Sequence, residues 1–597
     1  MQNKIFPYII IVLITSIFVK AVANNRSDSY NISGTLKQYH TVVIDFTGPF
    51  CRSGDNSPNP FLDYRLQVEI ISPSAKTYYV PGFFNGDGNG KNFGNIWSVR
   101  FTPLEKGKYT FRVSFQKGRH LAVKPLGENG QNISFDGVFG SFYVKDKGKN
   151  AKGFHKKGLL SSSGTHYFRF SDGTYWLKGG TNSPEDFLAY SGFSGTLASH
   201  DFSSHVQDWK RGDPDWNNGA GKGIIGALNY LAKQHVNSIY FLVMNIGGDG
   251  KNVWPFLSSG INPKGDPGND NLHYDIEKLY QWDRVFAYAQ NKSIFLHFVL
   301  SECEELNKKE LDDAQLGIER KLFYREMIAR FSHHLGLQWN LFEEYNLDFK
   351  LAPDLIKSCA DYIYFIDPYK HPITVHHAGN VFDDWGPFIG DERFSVTSFQ
   401  TKEIDVIEQF RKLSQDAGKP LVIGMDEFFP DVADGKNADR HRKEYIWPIY
   451  FSGGQMEFIL DELLNTENFR KYEELWKFMW YARKFFKNYL PYQEMFPADS
   501  LLSEESTFKG NYGIYEGQVF MKKNDIYAVY LPVANKTGKL KVDTNGNYIQ
   551  KWYNPRTGEF EGKNRKVKFL KNQEVIVGPP PSNPSQDWVI LFSKSNK

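Results

Sequence analysis

Short runs in which apolar and polar residues alternate occupy the first part of the chain, from about residue 30 to residue 145. The clearest four are Thr41 to Phe46, Tyr64 to Ile71, Ile96 to Phe101 and Tyr109 to Phe115. Clusters of Gly, Pro, Asn and Asp separate them, and they show no helical period. Regular short strands with turn signals predict an antiparallel β-sandwich. We assign it to residues 24–150, followed by a Lys- and Gly-rich linker over residues 147–157.

After the linker, apolar runs alternate with long segments of helical period. The helical segments include Asp275 to Gln290, Glu319 to His334, Glu403 to Ala417 and, last, Phe469 to Phe486. Such alternation predicts a parallel sheet built of βα units. The candidate strands are Tyr175 to Gly179, Ser238 to Met244, Ile294 to Leu300, Leu337 to Leu341, Ile373 to His377, Phe394 to Ser398, Leu421 to Met425 and Gln455 to Leu460. Eight is the strand number of a TIM barrel, which we assign to residues 151–503.

Short alternating runs return after about Tyr512. They are Ile514 to Tyr515, Gln518 to Met521, Ile526 to Leu531, Lys539 to Val542, Tyr548 to Tyr553 and Trp588 to Phe592. These runs predict a second, smaller β-sandwich over residues 504–597. The predicted fold class is therefore multidomain: a (β/α)8 TIM barrel flanked by an N-terminal and a C-terminal antiparallel β-sandwich.

The composition of the 597 residues excludes several classes of protein. Lys and Arg number 71 against 68 Asp and Glu, a net charge of +3, and 41% of the residues are hydrophobic. This balance excludes a disordered chain, a collagen, a coiled coil and a polybasic arm that would bind nucleic acid. The three cysteines, Cys51, Cys303 and Cys359, are too few and too scattered for a disulfide framework or a CxxC metal site.

The first 23 residues have the pattern of a signal peptide. Lys4 is followed by an apolar run from Ile5 to Val19 and then by Ala21-Val22-Ala23, a small-x-small cleavage pattern. We expect a mature chain that starts near Asn24, is exported to the periplasm or the extracellular space, and has no membrane span after the signal is removed.

Two predicted barrel strands end in paired acids. The fourth runs into Glu343 and Glu344, and the seventh into Asp426 and Glu427. Carboxyl groups at these two strand ends lie across the barrel mouth from each other, as flanking a glycosidic bond requires. Alternation along strand four favours Glu344 over Glu343 as the residue that faces the lumen. Along strand seven the alternation does not show whether Asp426 or Glu427 faces inward. A single acid after a strand is more often a helix cap, so the inference depends on both pairs.

Other polar residues at or near strand ends suit the recognition of sugar hydroxyls, because each can donate or accept a hydrogen bond. The predicted substrate-binding residues are Asn182, Asn245, Glu302, Asn340, His376, His377, Gln400 and Asp426. No HExxH motif and no His/Cys set at zinc spacing is present, and the Gly-rich stretches lack the GxxxxGK[ST] and GxGxxG patterns. We therefore predict neither a metal nor an organic cofactor.

These residues also resemble a known family. The stretches are Tyr175 to Asp186, Trp339 to Glu344, Asp367-Pro368, His371 to His376 and Asp426-Glu427. Together they resemble the apiosidase-like catalytic barrels of bacterial secreted glycoside hydrolases. The N-terminal region resembles the uncharacterised domain that often precedes such barrels. The tail, with Tyr527 to Pro532, Trp552 to Gly558 and Asp587 to Val589, is similar to the so-called collagen-binding domain that follows them.

The resemblance implies a retaining glycosidase in which Glu344 is the acid/base and Glu427 the nucleophile. Glu344 would then stay protonated near neutral pH and Glu427 would be ionised. One departure is that Glu343 stands where the broad retaining clan has an Asn, and Asn340 lies further back. The predicted function is a secreted glycoside hydrolase that cleaves O-glycosidic bonds of a polysaccharide or its oligosaccharides. The alternatives are a non-catalytic carbohydrate-binding protein or an adhesion protein on a barrel scaffold. The sugar, the linkage and the oligomeric state stay open.

Overall fold

The computed structural model describes residues 29–259 and 267–595, so the predicted signal peptide lies outside the described residues. The strands of the N-terminal region are β1 (Tyr30–Gly34), β2 (Val42–Arg52), β3 (Tyr64–Ile71), β4 (Thr77–Pro81), β5 (Phe83–Phe84), β6 (Phe93–Phe101), β7 (Gly107–Lys117), β8 (Gln131–Asn132) and β9 (Phe139–Val144). They form two antiparallel sheets, ordered β1-β2-β6-β5 and β4-β3-β7-β8, with β9 on β7. Trp97 of the first sheet contacts Tyr64 and Phe115 of the second, with ring centroids 4.9 and 4.8 Å apart.

The central region is organised around a parallel sheet. Its strands are β13 (Gly179–Thr181), β14 (Ser238–Leu242), β15 (Phe295–Val299), β16 (Leu337–Asn340), β17 (Ile373–Thr374), β18 (His376–Ala378), β19 (Ser398–Gln400), β20 (Gly424–Glu427) and β21 (Gln455–Phe458). Their order is β17-β16-β15-β14-β13-β21-β20-β19-β18. The two edge strands of this order, β17 and β18, are separated only by Val375. Because both edges belong to one segment, the sheet curves into an eight-stranded barrel and fits the predicted TIM barrel.

Helices follow the barrel strands. The helices of the described residues are α1 (Phe154–Lys157), α2 (Lys222–Lys233), α3 (Ile276–Asn291), α4 (Glu305–Glu310), α5 (Ile318–Phe331), α6 (Pro353–Ile366), α7 (Val381–Trp385), α8 (Val406–Asp416), α9 (Ala438–His441), α10 (Trp447–Phe451) and α11 (Glu473–Tyr489). The sequence explains the start of α3, because Asp275 accepts hydrogen bonds from the backbone N–H groups of Glu277 and Lys278 as an N-cap. Pro353 likewise occupies the first position of α6, where its missing N–H is not needed.

Three predicted barrel strands are displaced in the structure: the first, the sixth and the seventh. The seventh is observed at Gly424–Glu427, whereas the predicted strand runs from Leu421 to Met425. The predicted strand from Tyr175 to Gly179 is wrong, because Tyr175–Trp176 (β12) pairs antiparallel with Phe168–Phe170 (β11), which pairs with Leu160–Ser162 (β10). The indole of Trp176 packs on Phe295 at the start of β15, with ring centroids 5.2 Å apart. This small sheet therefore covers the amino-terminal end of the barrel, and the first barrel strand starts only at Gly179. The sixth strand is also shifted, to Ser398–Gln400, although Phe394 and Val396 make single bridges to its neighbours.

The C-terminal region is again antiparallel. Its strands are β22 (Phe496–Pro497), β23 (Leu502–Glu505), β24 (Phe508–Lys509), β25 (Ile514–Tyr515), β26 (Gln518–Lys522), β27 (Ile526–Leu531), β28 (Thr537–Val542), β29 (Gly546–Asn554), β30 (Glu559–Phe569), β31 (Gln573–Ile576) and β32 (Trp588–Lys594). Six of them form a sheet in the order β22-β26-β27-β32-β29-β30, and three form β23-β28-β31. The sheets thus begin at Phe496, ahead of the predicted boundary at residue 504.

Both flanking regions pack on the barrel. Arg100 of β6 lies 3.3 Å from Asp283 of α3, and Arg442, which precedes α10, makes a buried bidentate pair with Asp587 at 2.9 and 3.0 Å. Trp447 of α10 stacks on Tyr530 of β27, with ring centroids 5.7 Å apart. Within residues 29–259 and 267–595 no helix is both long and apolar enough to cross a membrane.

Candidate active site

A cavity of about 410 Å³ opens at the carboxyl ends of the barrel strands. Seven acidic residues line it: Glu185, Asp249, Glu302, Glu304, Glu343, Glu344 and Glu427. The remaining lining is Ser183, Cys303, Leu347, Gln400, Phe429, Ile459, Leu463, Leu464 and Asn465. No Lys, Arg or His is among these described lining residues, so no lining base balances the seven acids. A second cavity, of about 310 Å³, has Trp176 and Trp480 in its wall and contains no residue of the predicted site.

Glu343 lies at the floor of the cavity, three residues after the end of β16. The hydroxyl of Tyr240, on β14, donates a hydrogen bond to Glu343 Oε1, and His376 Nδ1 lies 3.9 Å from the same oxygen. Burial raises the pKa of Glu343 to about 8, and the charge of Glu344 adds a smaller increase. The hydrogen bond from Tyr240 acts in the opposite direction and lowers this pKa. Glu343 therefore holds a proton at neutral pH.

Glu427 ends β20 on the other side of the cavity. His376 Nε2 lies 3.5 Å from Glu427 Oε2, so one imidazole stands between Glu343 and Glu427. Burial lowers the pKa of His376 well below its ordinary value, and the ring between the two acids is neutral. Burial and the neighbouring acids Glu343 and Glu344 raise the pKa of Glu427, while a hydrogen bond from Asn182 opposes them. The direction of this shift goes against the expectation that Glu427 is ionised.

An irregularity in β20 explains how two consecutive acids both face the barrel interior. Phe399 pairs with Met425 and Gln400 pairs with Glu427, so Asp426 is an extra residue between the two pairs. Asp426 is completely buried and accepts a hydrogen bond from Lys178 Nζ at 2.7 Å. It is therefore held in the interior, away from the cavity, and Glu427 is the acid of this pair that lines it.

Glu344 follows Glu343 with a backbone φ of 35°, in the left-handed region. This turn carries the second acid of the pair to the cavity wall as well, where its side chain is half-buried. Lys308 Nζ donates to the carbonyl oxygens of Glu344 and Leu347, at 2.9 and 2.7 Å, and so stabilises the turn from below. A non-glycine residue in this conformation is costly and is typical of functional sites.

The structure brings some predicted substrate-binding residues to the cavity and leaves others out. Glu302 and Gln400 line it, and Asn182 and His376 reach Glu427 from beneath. Three others serve different contacts. Asn340 Nδ2 contacts His297 and Ser398 inside the barrel, and Asn245 binds the backbone of the loop that follows β14, at Asp249, Asn252 and Val253. His377 packs edge-on against Phe399.

Sequence reasoning did not assign several residues of the cavity. Glu185 follows the end of β13 by four residues and stands next to Asp186. Acids after a strand are more often helix caps, so this position by itself does not indicate a functional residue. Tyr240 lies inside a strand that reads as apolar, so no sequence signal distinguishes it. Phe429, with 54% of its side chain exposed, follows Glu427 by two residues and could have been found as an aromatic residue beside a strand end.

Three groups of side chains have the composition of a metal site. They are Asp283, His333 and His334; His297, Asp426 and Glu457; and Glu185, Glu302 and Glu343. In the first group Arg100 lies 3.3 Å from Asp283, and in the second Lys178 Nζ lies 2.7 Å from Asp426. A protein cation therefore already neutralises each of these two groups. The third group has no such partner among the residues that line the cavity.

Comparisons with known proteins agree with this architecture. The family model of a domain of unknown function, DUF5060, matches residues 35–116. No curated protein sequence matches the chain. A Bacteroides vulgatus ATCC 8482 protein, provisionally assigned as a glycoside hydrolase, is similar with a TM-score of 0.64 and 14% identity, over 94% of this chain and 99% of its own.

Two further solved structures are similar over a smaller part of the chain. A family 5 glycoside hydrolase from Bacteroides vulgatus ATCC 8482 has a TM-score of 0.50 at 14% identity and covers 74% of this chain and 95% of its own. Another glycoside hydrolase has the same TM-score and identity, over 75% of this chain and 99% of its own. At such identities the similarity establishes the fold. The DUF5060 match agrees with the N-terminal resemblance, whereas the apiosidase-like and collagen-binding-type resemblances stay predictions.

Proposed function

We propose that the protein is a glycoside hydrolase that cleaves O-glycosidic bonds of a polysaccharide or its oligosaccharides. The observation that supports this most is that Glu344 and Glu427 line one cavity at the ends of strands four and seven of a parallel barrel. Two carboxyl groups on opposite sides of the glycosidic bond are what most glycoside hydrolases use to cleave it. The solved structures that share the fold, being described as glycoside hydrolases, agree with this function.

In the proposed reaction Glu344 protonates the leaving oxygen while Glu427 attacks the anomeric carbon. The covalent intermediate is then hydrolysed by water that Glu344 deprotonates, so the anomeric configuration is retained. Glu427 must be ionised to attack. Because Glu343, whose pKa is about 8, keeps its proton, it does not repel the negative charge on Glu427. The Tyr240 hydroxyl and His376 keep Glu343 in place.

The cavity also offers an apolar surface to a sugar ring. Phe429, Leu463 and Ile459 lie among its lining residues, and Phe429 and Leu463 are 54% and 42% exposed. Exposed apolar side chains at the mouth of a polar cavity suit the C–H face of a pyranose, while the acids accept hydrogen bonds from its hydroxyl groups. We propose that this wall positions the substrate and that the acidic floor performs the chemistry.

The first test is product release from a panel of neutral, uronic, sulfated and amino polysaccharides by the native protein, Glu344→Gln and Glu427→Gln. We expect each substitution to lower kcat at least about 100-fold, because each removes a group that acts in the transition state. Circular dichroism and thermal melting check that the variants fold. Glu305→Gln, on the exposed part of α4, is the matched control. If a glycan raises the melting temperature of the native protein and none is cleaved, the binding-protein alternative is correct.

A second test separates Glu344 from Glu343. An aryl glycoside can have a leaving group that needs no protonation. With such a substrate, a variant that lacks the acid/base still forms the covalent intermediate but cannot activate water to hydrolyse it. Added azide attacks the intermediate in place of water and so restores turnover. We expect this rescue in Glu344→Ala, with a product of retained configuration. Rescue in Glu343→Ala and none in Glu344→Ala would reassign the acid/base to Glu343.

We also propose that the protein is exported. The support is the sequence of residues 1–23, with Lys4, the apolar run and Ala21-Val22-Ala23. Expression with the native N-terminus in a Gram-negative host, followed by fractionation and N-terminal sequencing, should give a mature chain that starts near Asn24. Recovery in the cytoplasm of a chain that still begins with Met1 would contradict the proposal.

A further inference from the structure

The group formed by Glu185, Glu302 and Glu343 has no Lys, Arg or His beside it among the described residues that line the cavity. One carboxylate oxygen from each residue lies within 4.8 Å of the others. Glu302 is 2% exposed and Glu343 5%, so water screens their charges poorly. In the other two groups of similar composition, Arg100 and Lys178 supply the opposite charge. Protons, and not a cation of the protein, therefore neutralise this group.

Three buried acceptor atoms of the cavity also have no hydrogen-bond partner among the described residues, and they are Glu302 Oε2, Glu304 Oε2 and Gln400 Oε1. Of these, Glu302 Oε2 and Gln400 Oε1 belong to residues that are more than nine-tenths buried. Gln400 is 8% exposed and lies outside the acidic group, at the end of β19. Buried acceptors are normally satisfied, and unsatisfied ones are expected where a ligand binds. Each of these two oxygens can accept from an N–H group or coordinate a metal ion.

The spacing of the three carboxylates matches that of ligands around one small cation. Oxygens that coordinate Ca²⁺ stand at 2.3–2.6 Å from the ion, so two of them are at most about 5 Å apart. Acceptors around an ammonium group, at about 2.8 Å, stand about 4.6 Å apart. The three oxygens lie within 4.8 Å of one another, so one small cation can reach all of them.

We propose that Glu185, Glu302 and Glu343 form a cation site in the cavity, which takes a divalent metal ion or the ammonium group of an amino sugar. The cation takes the place of protons that these three carboxyl groups otherwise hold. The described lining residues include seven acids and no base, so they offer no ion-pair partner to the anionic group of a uronic or sulfated sugar, whereas an amino sugar brings its own cation. The link to substrate choice rests on the proposed glycosidase function, whereas cation binding itself requires no cleavage.

Calorimetry on the full-length mature protein tests the site, with CaCl₂, MgCl₂ and glucosamine as the probes and glucose and N-acetylglucosamine as uncharged controls. We expect at least one cation to bind with a dissociation constant of about 1 mM or tighter, the weaker end of calcium modules. Because a metal ion competes with protons for the same carboxylates, binding of Ca²⁺ or Mg²⁺ should tighten from pH 6 to pH 8 and release protons. Calcium or magnesium binding identifies a metal site, and glucosamine binding without binding of its N-acetyl form identifies an amine site.

Glu302→Gln should weaken binding of the cation at least tenfold, since it keeps the shape and removes the buried charge. Glu185→Gln is the second variant if Glu302→Gln does not fold, and Glu305→Gln is the control that should bind as the native protein does. If no probe binds, or if affinity is unchanged in both Glu302→Gln and Glu185→Gln, the proposal is overturned. Binding that persists in a protein that cleaves no glycan would support the cation site and contradict only the glycosidase function.

Discussion

The chemistry of single residues in the cavity is set by burial and by repulsion between like charges. Glu343, Glu302 and Glu185 all have a pKa above the ordinary value, and for each of them burial is the largest cause. Neighbouring acids add to the shift, because ionisation of one disfavours ionisation of the next. The cavity therefore shares protons among its acids at neutral pH, and any change in the charge of one acid alters the ionisation of the others.

Glu343 should make the stability of the protein depend on pH. Its pKa is raised from 4.5 to about 8, so the native state keeps a proton that the unfolded state releases in this window. The free energy of unfolding should accordingly decrease as pH rises from about 4.5 to about 8. In Glu343→Gln the decrease should be smaller, because the amide does not titrate. Melting temperatures at pH 5, 6.5 and 8 measure this loss of stability, and Glu305→Gln is the control. If the melting temperature falls equally with pH in the native protein and in Glu343→Gln, the prediction is wrong.

Phe429 should contribute to substrate binding more than to the chemical step. Phe429→Ala removes the exposed ring beside Glu427, and we expect KM to rise several-fold to about tenfold while kcat changes less. Steady-state kinetics on the substrate that the panel identifies give both constants. Phe365→Ala, on the exposed face of α6, is the control, since Phe365 is 63% exposed and not among the residues that line the cavity. A fall in kcat at constant KM would assign Phe429 to the transition state instead.

At the scale of elements, the strands of the barrel are tied together by a buried polar network below the cavity. Lys178 Nζ lies 2.7 Å from Asp426 and 2.9 Å from Glu457, and His297 Nδ1 lies 2.8 Å from the same Glu457 carboxylate. Each of these side chains is fully buried. The bulge in β20 places Asp426 in this network, so the backbone position of Glu427 depends on Lys178.

Replacement of Lys178 should strongly destabilise the barrel. Lys178→Met leaves Asp426 and Glu457 buried without their cation, and the loss of one partner of a buried pair costs about 3–5 kcal/mol of unfolding free energy. Urea unfolding followed by tryptophan fluorescence measures this difference. Lys233→Met, at the exposed end of α2, should change stability by less than about 0.5 kcal/mol. Similar small effects for both variants would show that the network does not carry the stability of the barrel.

At the scale of the whole molecule, the flanking sheets pack on the barrel through aromatic stacking and buried ion pairs. Arg442 lies over the ring of Phe478 in α11, with its guanidinium carbon 4.3 Å from the ring centroid, and pairs with Asp587 ahead of β32. The guanidinium holds the pKa of the Asp587 carboxyl below its ordinary value. The barrel and the C-terminal sheets should consequently unfold together.

Asp587→Asn tests this coupling between the barrel and the C-terminal sheets. We expect a loss of about 3–5 kcal/mol in unfolding free energy, because Arg442 stays buried without its carboxylate. Calorimetry should show one transition for the native protein and a lower melting temperature, or two transitions, for the variant. Asp525→Asn, in the same sheet region but 51% exposed, is the matched control. An unchanged transition in Asp587→Asn would mean that the pair does not couple the two parts.

The sequence by itself determined the order of the parts, because the periods of apolar residues differ between strands and helices. It placed β3, β25 and β27 at their observed bounds and set paired acids at the ends of strands four and seven. Composition and local pattern carry that information without any long-range contact.

Tertiary structure alone decided how the acids are used. The extra residue in β20 sends Asp426 to Lys178 and Glu427 to the cavity, and neither the bulge nor the partner, 248 residues away, is visible in local periodicity. Glu185 and Tyr240 likewise meet Glu343 only because the barrel closes, through pairing between strands remote in sequence. The first barrel strand was misplaced for the same reason, since Trp176 reads as a barrel residue until its contact with Phe295 at the base of the barrel is known. Burial and proximity set the charges of the site, and both are properties of the folded chain.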